Sequence, residues 1–122
     1  MFYARVAGQK GIWCGGERES TLWSRAEPAD HGPAGKPVEL VERALISSRR
    51  RGDLVADLCA GAGAALIACE RLGRRARLME SDARCADVVV GRWQQYAGQA
   101  AVLEGVGQTF QDIADQRRKG AA

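Results

Sequence analysis

Asp57-Leu58-Cys59-Ala60-Gly61-Ala62-Gly63 stands where a short apolar run hands over to a helical pattern. At such a junction small residues let main-chain N–H groups come close to a ligand. A second carboxylate, Glu80, ends the next strand-like run, 23 residues after Asp57. In doubly wound folds an acid at that place accepts hydrogen bonds from both ribose hydroxyls. Together they predict a nucleoside pocket at the carboxyl ends of two adjacent strands. A lone Gly-x-Gly is an ordinary tight turn; the order strand, glycines, helix, strand, acid lifts this one above that. NAD is the less suitable nucleoside, because its fingerprint wants a third small residue where Leu66 stands.

Alternating elements must position these residues. Pro37 suits a first helical position, since its missing N–H would be unpaired there, and Glu39 complements the helix dipole. Leu40, Val41, Ala44, Leu45 and Ser48 share one face, which predicts an amphipathic helix over 37–48. Gly52-Asp53 turns the chain. Residues 54–59 read as a strand buried on both faces, and 63–72 as a helix closed by Gly73. Residues 76–80 read as a second strand. Asp82 caps a helix over 83–97 with a buried stripe of Ala86, Val89, Val90 and Trp93, ended by Gly98. Residues 100–104 read as a third strand, and Phe110, Ile113 and Ala114 as a last helix before a frayed tail. Upstream, 1–3, 11–14 and 21–23 read as short strands, with Gly15-Gly16 as a turn. Residues 26–37 hold all three prolines and read as a loop. The alternation predicts an α/β layer with a parallel sheet. It divides into 1–35 as short strands and loop, 36–104 as the core, and 105–122 as a helix and tail.

The chain has 122 residues, 46% hydrophobic and 27% charged, which fits one globular domain. Net charge is +3, with basic runs at 49–51, 74–77 and 117–119. These are solvated helix ends and loops, or phosphate contacts; the sequence leaves both open. Cysteines at 14, 59, 69 and 85 form no C-x2-C pair, so no metal site is expected. Cys59 and Cys69 fall on apolar patterns, where a thiol behaves as a small buried hydrophobe. There is no leader pattern and no apolar run near the length of a membrane span, which points to a reducing cytoplasm and no membrane. His31, the only histidine, has no local partner and reads as a loop residue rather than a base.

Three blocks carry a resemblance. Lys36-Pro37-Val38-Glu39-Leu40-Val41-Glu42-Arg43-Ala44 resembles the KPxxLxxRA segment that precedes the cofactor loop in DNA N6-adenine and N4-cytosine methyltransferases. Residues 57–69 resemble that family's DPFxGSGTTLIAC. Residues 79–88 resemble its xExDPxYxDV, and Arg92-Trp93 continues with its RW. The order is that of the permuted arrangement, in which cofactor motifs follow catalytic ones. The resemblance implies a Rossmann-like S-adenosylmethionine-dependent methyltransferase fold, here a truncated parallel sheet flanked by helices. It also implies DNA methylation, as in restriction-modification systems, with DNA as the partner. Lys36 and Pro37 would lie by the methionine part of S-adenosylmethionine. Asp57, Gly61 and Gly63 would form the loop against the cofactor, and Glu80 would hold the ribose hydroxyls. Asp82 would sit by the adenine edge, or serve only as a helix cap; Lys36 is equally well a solvated loop lysine.

Several positions depart from the family pattern. Cys59 stands where a phenylalanine usually packs beside the cofactor, which should loosen the pocket. Ala62 removes the loop hydroxyl, and Ala83 and Cys85 replace the proline and tyrosine after the acidic pair. These enzymes hold the flipped base's amino group through an Asp/Asn/Ser-Pro-Pro-aromatic motif. The sequence contains no Pro-Pro pair and no asparagine. Without that motif the amine is not aligned with the methyl group, and the orientation contribution to catalysis is lost. The expectation is a cofactor-binding half, inactive alone, with a second chain as a possible source of the catalytic half. The alternatives are a degenerate remnant that acts through protein or DNA contacts, and a small NAD- or nucleotide-binding protein.

Overall fold

The computed structural model describes residues 7–8, 10–11, 13–16, 20, 22–23, 35–48 and 50–120. The expected strand at 1–3, most of the 26–37 loop and His31 lie outside them. The described parts of 11–14 and 21–23 form no strand.

Six elements follow: α1 (Val38–Ser48), β1 (Leu54–Asp57), α2 (Ala64–Arg71), β2 (Arg75–Leu78), α3 (Ala83–Ala97) and α4 (Phe110–Gly120). β1 and β2 pair in parallel, with Leu54 opposite Arg75 and Asp57 opposite Leu78. α2 is the crossover that a parallel pair requires. α1, α2 and α3 lie within one residue of their expected bounds, and α2 and α3 carry local stop signals. Gly73 at φ +61° and Gly98 at φ +65° end α2 and α3 in the left-handed conformation that glycine adopts without penalty.

The core joins Val38 and Leu45 of α1 to Ala64, Ile67, Ala68 and Cys69 of α2. Val41, Val55, Leu72, Ala76 and Trp93 pack around it. Burying a side chain such as Ile67 contributes about 1.5–3 kcal/mol. An exposed rim ties α1 to α2, where the Arg71 guanidinium meets Glu42 at 3.2 Å. The Trp93 indole N–H donates to Glu70 on α2 at 3.1 Å, so α3 is fastened to the same helix. Upstream, the main-chain N–H of Cys14 donates to the Ser47 carbonyl at 2.7 Å, and Arg43 stands over the Trp23 ring at 4.7 Å.

Three expectations are corrected. The strands are not buried on both faces: exposure alternates along each, and among the described residues only the Val55, Asp57, Ala76, Leu78 side is covered. Residues 100–104 form no third strand. Gly105 and Gly107, at φ +84° and +73°, turn the chain back, so that Val102 bridges Thr109 antiparallel. Cys69 is buried as expected, but Cys59 is exposed, because β1 ends before it.

Candidate functional site

The end of β1 and the start of α2 are joined by a turn that only glycine builds easily. Gly61 sits at φ +54° and Gly63, which precedes α2, at φ +78°. A Cβ on Gly63 would stand 3.0 Å from Cγ1 of Val89, so the turn is pressed against α3. Nothing lies within 4 Å of the corresponding point on Gly61, whose outer side is open. Gly63 offers α2 no side-chain cap. The first N–H groups of a helix have no partner within the helix, so the positive end of α2 faces the turn.

Glu80 closes this turn from the neighbouring strand. The N–H of Gly61 donates to its Oε2 at 2.7 Å, and the N–H of Asp82 donates to Oε1 at 3.0 Å. The N–H groups of Asp82, Gly61 and Ser81, in that order, hold the carboxyl below the ordinary glutamate value. A carboxylate has about four acceptor positions, so these bonds leave capacity for a further donor. Asp57, at the end of β1, accepts from the Cys59 N–H at 3.1 Å, which fixes the first bend of the loop.

A hollow of about 220 Å³ beside the turn is lined by Lys36, Asp57, Cys59 and Gly61, with Val41, Ala60, Ala62, Ala64 and Ala65. The structure thus brings Lys36, Asp57, Cys59 and Gly61 to the lining of one hollow, while Gly63 lies outside that lining, close to Val89. Glu80 reaches the same lining through Gly61. Pro37 lies one residue before α1 and outside the lining; its carbonyl accepts from Leu40. Asp82 is the N-cap of α3: its Oδ1 accepts from Arg84 N–H at 2.7 Å and Cys85 N–H at 3.2 Å, so the cap uses only one of its two oxygens. A second hollow, about 290 Å³, runs along the outer edge of β2 between Glu70, Arg74, Arg77 and Trp93. None of the carboxylates or glycines of the turn lines it.

Sequence reasoning missed one member of the site. Arg92 on α3 donates to the Ala62 carbonyl at 2.9 Å, tying the glycine turn to α3. The signal was available in the spacing, since Arg92 lies three residues from Val89 on the face that meets Gly63.

Comparison with known proteins bears on the family and the fold. A family model described as DNA methylase, of the N6/N4 class, matches residues 7–91. No curated protein matches the chain. Among solved structures, the crystal structure of the M1.HpyAVI-SAM complex aligns with a TM-score of 0.56 at 22% identity. The alignment covers 68% of this chain and 43% of that one, so the chain spans less than half the length of that protein. The α/β layer with its short parallel sheet therefore matches part of a methyltransferase fold. The family match spans more than half of the sequence, and the chain belongs to the N6/N4 DNA methylase family.

Proposed function

We propose that residues 36–104 form an S-adenosylmethionine-binding core and that the chain alone does not transfer the methyl group. The observation that carries this is the Glu80 carboxylate, oriented by the Gly61 N–H on Oε2 and the Asp82 N–H on Oε1. A vicinal diol needs that arrangement: two acceptors at fixed spacing, already oriented. The open side of Gly61 leaves room for a ribose against the main chain. Asp57 and Lys36 supply opposite charges in the hollow for the amino and carboxylate groups of the methionine part. The Oδ2 of Asp82, which the helix cap does not use, is an acceptor for an adenine amino group. When bound, the cofactor supplies an electrophilic methyl on a sulfonium. This chain's residues bind and orient it; Cys59 gives a looser wall than an aromatic side chain would.

DNA is the proposed substrate by family, as in modification systems, with the base pocket contributed from outside these residues. The described cysteines are free, which fits a reducing cytoplasm. No described helix is long and apolar enough to cross a membrane.

Calorimetric titration of S-adenosylmethionine into the chain and its Asp57→Ala and Glu80→Ala variants tests the reading. Saturable binding lost in both variants is expected. No binding at millimolar cofactor would refute it and favour the degenerate-remnant reading; saturable binding of NAD instead would favour a dinucleotide protein. Tritium transfer from the cofactor to mixed DNA is expected only when a polypeptide carrying the catalytic motif is added.

A further inference from the structure

Parallel sheets are normally covered by helices on both faces, because their connections place helices there and leave no face for water. Among the described residues the β1–β2 sheet is covered on one. On the other, β1 presents Leu54 and Ala56, and Leu58 continues the alternation one residue on. Leu54 is 50% and Leu58 71% exposed. The register sets Arg75 beside Leu54 and Arg77 beside Ala56, and Met79, 65% exposed, continues that second row. The bare face is therefore an apolar row flanked by an arginine row. Among the described residues both guanidiniums bond only main-chain carbonyls, Arg75 to Gly52 and Arg77 to Ala76. Neither has a carboxylate partner there.

We propose that this face seats an amphipathic helix with an apolar stripe and an acidic flank. The dimensions agree. Alternate residues on a strand are about 6.6 Å apart, and residues four apart on a helix about 6 Å, so one apolar stripe can follow the β1 row. The arginine row lies about 4.8 Å to the side, which is where the carboxylates of the helix flank must fall. A second copy of this chain is a poorer occupant. It would set guanidiniums against guanidiniums, or against leucines, and supply no counter-charge. None of the six face residues lines the hollow beside the glycine turn, so the proposal does not depend on cofactor binding.

Synthetic 18-residue labelled peptides test it by fluorescence anisotropy against the full chain. One carries a leucine stripe with a glutamate flank, one the same stripe with a lysine flank, and one has the leucines replaced by serine. Only the acidic amphipathic peptide should bind in the micromolar range. Leu58→Asp should weaken it roughly tenfold or more, a loss of about 1.4 kcal/mol. The Arg75→Glu/Arg77→Glu pair should reverse the preference to the lysine peptide. All three sites are exposed, and amide shifts of the labelled wild-type chain, expected to change at 54–58 and 75–79, give a readout that needs no variant. Equal binding of both amphipathic peptides, or none at millimolar concentration, overturns the proposal. So does self-association abolished by Leu58→Asp, or duplex DNA binding that depends on the arginines but not on Leu58.

Discussion

Replacing Gly63 by alanine perturbs the cofactor turn in two separable ways. The residue sits at φ +78°, where an L side chain costs about 1–2 kcal/mol. Its new Cβ would stand 3.0 and 3.2 Å from the two γ-methyls of Val89, a side chain only 8% exposed. Overpacking of that kind costs about 1–3 kcal/mol, so the total is about 2–5 kcal/mol. Gly61→Ala is the internal control: at φ +54° with open space around it, it should cost only the backbone part. Urea unfolding followed by far-UV circular dichroism measures both. In a Val89→Ala background the packing part disappears, and the cost of Gly63→Ala should fall to that of Gly61→Ala. Equal costs for the two glycines in the wild-type background, or no coupling with Val89, would refute the close approach of α3 to the turn.

Three further outcomes follow from the same site. The Glu80 carboxyl is held below its ordinary value, so its contribution to stability is complete above the unfolded value of about 4.3 and is lost as pH falls through its lower folded value. Carbon-detected NMR titration should give a Glu80 midpoint below that of a model glutamate; a midpoint at or above it contradicts the Gly61–Glu80–Asp82 bonding. Asp82→Ala removes both cap bonds of α3 and should cost about 0.5–2 kcal/mol in urea unfolding, with Asp82→Asn costing less; equal losses would deny the cap. Arg92→Ala removes the donor to the Ala62 carbonyl and should cost about 1.5–3 kcal/mol, with part-recovery in Arg92→Lys. Unchanged unfolding of Arg92→Ala would show that the bond does not hold the turn.

What the sequence made legible is what local chemistry encodes. Asp82 marks the start of α3 through its capping side chain, and Gly73 and Gly98 mark the ends of α2 and α3 through their left-handed backbone. The pairing of Asp57, the glycines and Glu80 was legible because a parallel crossover brings consecutive strand ends together. The bare sheet face was not, since an apolar run reads the same whether or not something covers it. Cys59 was misjudged for the same reason: its apolar neighbours suggested a strand, whereas the chain has already turned after Asp57. The segment 100–104 has strand-forming residues, but two left-handed glycines decided its partner. Arg92 was overlooked because its role is set by a carbonyl thirty positions away.

The last helix has a consequence of its own. α4 buries no residue, and its start is held by a reciprocal pair in which Asp112 accepts from the Thr109 N–H and hydroxyl while its own N–H donates back to Thr109. Eleven residues are too few for an isolated helix to be stable in water. Amide protons of α4 should therefore exchange with deuterium by local fraying, at rates indifferent to the stability of the core. Those at the buried turns of α2 should exchange only through global unfolding. Such a pattern would mark α4 as a cooperative unit less stable than the core of α1 and α2.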